Sequence, residues 1–390
     1  MLKSRLCIAF FAFAVGCAPA QKPLTDYVNP MLGTATLWDS VDLGFKPTKR
    51  TWGAEVFPGS SLPNAMVQVS PVTKFHSGAG YQYEDSVIYG FTHTNKGHWN
   101  LCHIPLLPVT GTPTPGDYCS PFSHERESAA PGYYQVFLDR YGVDAQLSST
   151  LRCAFHKYTY PAGAAPAVLA DLQRSNEHVR AWDIRKEGDN VFAGWQQTGE
   201  KMYFYAVANR PVTGIEPVVE GDREVRIVRF GEGDGALELR IGFSFVSEKN
   251  ARENLEAEML GKSFAEVRSE ATATWNDLLG RIRVEGGTER EKGLFYSSLY
   301  RSFLWPALRS DVNGEFTDVD GKVINPGFRY YTGPSYWDDY RNKLILLGML
   351  APDVAADVIS SDVDKGEKRG GFMPTFFHGV HASAFVAGTY

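Results

Sequence analysis

The 390 residues carry 39 Lys and Arg against 45 Asp and Glu, a net charge of −6, with 43% hydrophobic and 22% charged residues. That balance marks a globular chain of about two domains, and the lack of any basic run excludes nucleic acid as a partner. Aromatic residues make up 13% of the chain, which favours sheets and sugar platforms over helical bundles.

Residues 1–20 begin with Lys3 and Arg5, continue as an apolar stretch and end in small residues. This is the pattern of a secretory signal, too short for a stable membrane span. Two processing routes stay open. Ala14-Val15-Gly16-Cys17 is a loose lipoprotein box that would anchor the chain to an outer membrane through Cys17, whereas Ala18-Pro19-Ala20 fits ordinary cleavage before Gln21 and a periplasmic or secreted product. Beyond this region lie Cys102, Cys119 and Cys153. They allow at most one internal disulfide, and with no CxxC pair a structural zinc site is not expected.

From residue 21 to 246 the chain reads as a β-sandwich: short apolar or alternating runs at 65–70, 133–138, 191–195, 202–207 and 237–245 are separated by Gly, Pro, Asn and Asp. The loop 231–235, Gly-Glu-Gly-Asp-Gly, is expected to join 225–230 and 237–245 as a hairpin. At Ser247 the composition changes. Residues 248–261 and 264–279 lose β-branched residues and read as linker helices across 247–285. The helical domain then occupies 286–390. Its first helix follows Thr288, with Glu291 placed to complete a capping box and Phe295, Leu299 and Phe303 forming a buried stripe.

A further helix is expected from Trp337 to Met349, and another to start near Pro352; Asp362 and Asp364 read as a solvated loop. Trp337-Asp338-Asp339-Tyr340-Arg341 is the segment richest in chemistry. At helical spacing Trp337 and Arg341 are four apart and Asp338 and Arg341 three apart, so an indole plate and a paired carboxylate share one face. That suits a sugar, whose ring face stacks on indole while its hydroxyls take charge-assisted hydrogen bonds. The plainer reading is an Asp near a helix N-terminus with a local ion pair. Residues 384–390 still read as an apolar helical run without a C-cap, so an incomplete helical barrel is expected.

These residues resemble glycoside hydrolase family 92, exported calcium-dependent exo-acting α-mannosidases. The matching stretches are Tyr27-Val-Asn-Pro-Met-Leu-Gly-Thr34, residues 57–71, Gly90-Phe-Thr-His-Thr94, Ser310-Asp-Val-Asn-Gly314, Tyr336-Trp-Asp-Asp-Tyr-Arg341 and Gly370-Gly-Phe-Met-Pro374. The resemblance implies an N-terminal β-sandwich followed by an (α/α)6 barrel, a site between them, inverting hydrolysis of terminal α-mannosides with α-1,2 linkage expected, and a calcium ion held by hard oxygen ligands. Carried over by position, it makes Trp337, Asp338, Arg341 and His381 sugar contacts and His93 a contact from a sandwich loop.

This chain departs from the family at 95–105, which makes His98 and Trp99 candidates for leaving-group preference, and at Val380, where the family commonly has a carboxylate. His98 and His103 also raise a metal reading, but without a nearby carboxylate they make weak ligands. The acid Glu and base Asp implied by the resemblance are expected beyond Tyr390, and the metal ligands are not assignable. The expectation is therefore a mannosidase fragment inactive alone on mannose-containing glycans, with a non-catalytic carbohydrate-binding or surface-interaction protein as the alternative.

Overall fold

The computed structural model describes residues 22–36, 44, 53–96, 99–373 and 379–389. The signal-like segment with Cys17, and His98, lie outside the described residues. Among the described residues no helix is long and apolar enough to cross a membrane, and Cys102, Cys119 and Cys153 are free thiols.

Two large antiparallel sheets dominate residues 60–244, with two short two-stranded pairs among the described residues besides. The seven-stranded sheet runs in the order Ser60–Ser61, Gln68–Val72, Gly90–Thr92, Leu106–Val109, Ala167–Ala170, Arg223–Phe230, Val212–Glu220. The eight-stranded sheet runs Ala181–Gly188, Val191–Gln197, Lys201–Ala208, Leu237–Ser244, Cys153–Thr159, Val143–Ser149, Tyr133–Leu138, Glu127–Ala130. Their inner faces meet. Phe91 of the first sheet lies 6.4 Å from Tyr134 and 6.3 Å from Tyr158 of the second, measured between ring centroids. Lys201–Ala208 alternates strictly between half-buried and buried positions, as the two-residue period of a strand against a core requires.

The expected hairpin at 231–235 is not formed. Arg223–Phe230 belongs to the seven-stranded sheet and Leu237–Ser244 to the eight-stranded one, so this glycine-rich loop crosses the sandwich. Both strands alternate and bury an inward face, so their pattern alone does not say which sheet receives each.

His93, expected on a loop facing a sugar site, lies instead in the sandwich interior with 0% exposure. Its Nδ1 lies 2.9 Å from the Ile104 carbonyl, so that nitrogen carries the proton. Nε2 then accepts from His156 Nε2 at 2.9 Å, and the Tyr158 hydroxyl donates to His156 Nδ1 at 2.5 Å. Burial pushes His93 down to about 3 and His156 well below its ordinary value of 6.5.

Helix α1, Glu248–Glu258, is capped by Ser247, and α2, Phe264–Leu279, by a capping box of Ser263 and Glu266. They cover the outer face of the eight-stranded sheet, where Leu255, Met259, Phe264 and Val267 pack on Tyr133, Cys153 and Phe155. Gly242 permits this approach: a Cβ there would sit 2.1 Å from the Ala251 carbonyl oxygen. The fully buried Trp275 of α2 donates to the Ser61 carbonyl at 2.7 Å and packs on Tyr300 at 4.4 Å.

Helix α3, Glu289–Ser302, has the expected capping box of Thr288 and Glu291. Its buried face is Tyr296, Leu299, Tyr300 and Phe303, with Phe295 only half-buried. Next come α4, Tyr336–Asp339; α5, Lys343–Leu350; α6, Pro352–Lys368; and α7, His381–Thr389. The single helix expected from Trp337 to Met349 is thus two, because the Asn342 side chain accepts from the Lys343 amide at 2.6 Å and starts the helix afresh. Asp362 and Asp364 lie on α6 rather than in a loop. A sheet-rich sandwich followed by helices that fit part of a barrel is the fold class read from the sequence.

The two parts join around Asp311, which is 2% exposed. Its carboxylate accepts from Ser244 at 2.6 Å, Asn250 at 2.9 Å and Asn254 at 2.7 Å. Nearby, Arg152 donates to Glu258 at 2.7 Å and to the Ser310 carbonyl at 2.8 Å.

The neutral histidine pair sets an acid limit. Unfolding frees His93 and His156 to bind protons at ordinary affinity, so their contribution is complete above pH 6.5 and declines as pH falls. The expected loss is about 1.4 kcal/mol per pH unit for each proton taken up. Urea melts at pH 7.5, 6.0 and 5.0 check it; equal stability at all three contradicts the neutral pair.

Candidate functional site

The Trp337 motif is held from beneath. Tyr336, 2% exposed, donates its hydroxyl to the Asp362 carboxylate on α6, which has 0% exposure. Lys365 Nζ donates to Asp362 Oδ1 at 2.9 Å and to the Tyr331 carbonyl at 2.9 Å. Burial lowers the Lys365 ammonium below its usual range, opposed by the adjacent Asp362. A buried charge is tolerated only when paired and hydrogen-bonded, and this Tyr-Asp-Lys chain meets that condition. It locks α4, a single turn of helix, against α6.

On the outer side Trp337 is 47% exposed. His381, the first residue of α7, stacks on Tyr340 with centroids 4.4 Å apart and planes 15° apart, and meets Trp337 edge-on at 5.9 Å. Gly379 keeps that ring in place. Its φ is +83°, and a Cβ there would lie 2.9 Å from His381 Nε2. The expected Asp338 to Arg341 pair is not made, because the chain leaves the helix after Asp339. Ser335 Oγ donates to Asp338 Oδ2 at 2.5 Å, and the Arg341 guanidinium lies over Tyr340, 5.0 Å from its ring centroid. Three aromatic rings, an exposed carboxylate and an exposed guanidinium thus share one surface. Tyr340 was not singled out from the sequence, although its place three residues after Trp337 was a usable signal.

The structure therefore brings together Trp337, Asp338, Arg341 and His381, and leaves His93 in the sandwich core. Trp99 falls in the two-residue strand Trp99–Asn100, paired with Asn95–Lys96. His103 is 1% exposed and sits between the Thr94 and Thr198 hydroxyls at 2.8 and 2.9 Å, so it is not turned toward a metal. Calcium takes six to eight oxygen ligands. Among the described residues no group of three or more His, Cys, Asp or Glu converges. Val380 is 68% exposed beside His381.

Nearby carboxylates are engaged. Asp339 pairs with Lys343 at 2.7 Å, Asp364 with Lys368 at 2.8 Å, and Asp362 with Tyr336 and Lys365. A groove of about 660 Å³ runs from Tyr340 and Arg341 between α5 and α7, lined further by Ile345, Met349, Phe385 and Thr389. Beyond the mouth its walls are mostly apolar, with Thr389 the polar residue among them.

The models of the glycosyl hydrolase family 92 N-terminal domain and catalytic domain match residues 27–253 and 250–389. A family 92 α-mannosidase from Bacteroides thetaiotaomicron, also solved with mannoimidazole, superposes with a TM-score of 0.81 at 26% identity, covering 91% of this chain and 51% of that one. An inverting family 92 mannosidase from the same species gives a TM-score of 0.81 at 25% identity, covering 94% and 52%. A relative from Arthroderma benhamiae, described as an uncharacterized secreted glycosidase, is 25% identical over 344 residues, 74% of this chain and 42% of that protein. This chain thus spans about half the length of the relatives it matches.

Replacing Tyr336 by Phe leaves Asp362 short of a donor in a buried setting. We expect a loss of roughly 1.5–3 kcal/mol and a weaker hold on Trp337. Denaturant melts check the first, and amide hydrogen exchange across residues 335–341 checks the second.

Proposed function

This chain belongs to glycosyl hydrolase family 92, and from that premise we propose that it recognises the non-reducing α-mannose of glycans through the Trp337, Tyr340 and His381 surface. The observation that carries this reading is the convergence of those rings with Asp338 and Arg341 on an α4 turn anchored by Asp362. Trp337 offers the apolar plate, Asp338 accepts from sugar hydroxyls, and Arg341 donates to them. Export is part of the proposal, in keeping with the signal-like first 20 residues and a relative described as secreted.

Inverting hydrolysis needs an acid and a base about 6.5–9.5 Å apart on opposite sides of the bond. The carboxylates nearest the platform are held by Ser335, Lys343, Lys368, Tyr336 and Lys365. We therefore assign these 390 residues the recognition half of an α-mannosidase activity, with α-1,2-linked mannose as the preferred ligand.

Trp337→Ala removes an exposed ring, so stability should change by under about 1 kcal/mol while affinity for methyl α-mannoside falls at least tenfold. Calorimetric titration with α-1,2- and α-1,6-mannobiose tests the linkage, with and without calcium, and an aryl α-mannoside assay is expected to show no turnover. Unchanged sugar affinity in the Trp337→Ala chain refutes the platform.

A further inference from the structure

We propose that the cleft of about 590 Å³ where the sandwich meets α6 is a second carbohydrate-binding site, taking a neutral pyranose. Its lining comes from the Leu151-Arg152 segment, the turn 310–314, residues 325–329 and Asp357 of α6. None of these belongs to the Trp337 surface. A volume of that size lies within the range of small-ligand sites.

Three features give the cleft its chemistry. The Arg152 side chain is only 8% exposed, and its guanidinium spends one N–H on the Ser310 carbonyl and one on Glu258. Of its five N–H groups the others make no hydrogen bond among the described residues, leaving a nearly buried donor for an oxygen ligand. Opposite, Arg329 Nε and Asp357 Oδ2 stand 3.7 Å apart. That is too long for a hydrogen bond between the two side chains; the Asp357 carboxylate accepts from the Arg329 amide and the Arg329 guanidinium bonds Tyr331, so vicinal hydroxyls would use the donor and acceptor capacity each group has left. Phe328, half-buried and nearly parallel to Tyr330 at 6.3 Å and 24°, supplies an apolar plate.

Charge decides between a neutral sugar and an anion. The cations Arg152 and Arg329 are matched by Glu258 and Asp357, so the cleft carries no net positive charge to hold a phosphate or carboxylate. Asp311 also borders it, but its carboxylate is taken up by Ser244, Asn250 and Asn254. A glycan reaching both surfaces would be held at two points, raising retention through effective concentration alone.

The test is an NMR titration of this chain with methyl α-mannoside, methyl α-glucoside and inorganic phosphate, in the wild type and in Trp337→Ala, Phe328→Ala and Asp357→Asn variants whose melting is compared first. The expected result is two sets of sugar-shifted resonances, one lost in Trp337→Ala and one that survives it but weakens at least tenfold in Phe328→Ala and in Asp357→Asn. Sugar binding abolished by Trp337→Ala overturns the second site while leaving the Trp337 platform standing. Sugar binding untouched by Trp337→Ala but lost in Phe328→Ala does the reverse. Phosphate binding tighter than either sugar, residual sugar binding indifferent to Phe328 and Asp357, or no sugar binding at all also overturns the proposal.

Discussion

The buried carboxylate of Asp311 fixes how the helices sit on the sandwich. Desolvation raises its proton affinity, and three hydrogen bonds from Ser244, Asn250 and Asn254 oppose that rise. A carboxylate stripped of water is stable only where donors are already in place. These donors come from the last strand and from α1, while Asp311 belongs to the turn that leads toward α4. A small rotation of the helical part would strand the charge. Arg152 adds to the constraint by binding Glu258 of α1 and the Ser310 carbonyl at once. Apolar packing holds the same layers together but tolerates sliding, so the polar contacts define the register.

The same logic recurs under the candidate site. Asp362 is as fully buried as the sandwich core, yet it carries Tyr336 on one side and Lys365 on the other. Burying that charge gives a rigid footing for a helix too short to be stable by itself, since isolated turns are unfavourable in water. Trp337 and Arg341 can then remain exposed, because their geometry is set by neighbours below rather than by their own burial. Chemistry on this surface depends on a network that no ligand touches.

Signals confined to adjacent residues were the legible ones. Thr288 and Glu291 announce a helix start because both halves of a capping box lie within one turn. The alternation in 133–138 announces a strand because one face sees the core. Signals that depend on a distant partner were not legible. Nothing near residues 231–235 says that the next strand joins the other sheet. His93 looks like a surface contact until His156, 63 positions away, is known to accept its company in the core. Asp362 and Lys365 read as a solvated loop because the tyrosine that makes burial affordable is 26 residues earlier. At the candidate site the residue types were readable, whereas their pairing was not: Asp338 took Ser335 and Arg341 took Tyr340 once the helix broke before Asn342.

That exchange of partners bears on what the surface can do. Had Asp338 and Arg341 neutralised each other, a sugar would have had to break an ion pair to reach either. Separated, they present an acceptor and a donor on opposite flanks of a ring cluster, and each keeps capacity beyond its local contact: the carboxylate has a second oxygen, and the guanidinium uses only its face on Tyr340. Recognition by hydroxyl contacts needs that spare capacity. Asp339, Asp362 and Asp364 are each paired with a lysine and do not offer it. The described surface thus presents a cluster of rings flanked by an acceptor and a donor, the arrangement on which the proposed sugar recognition rests.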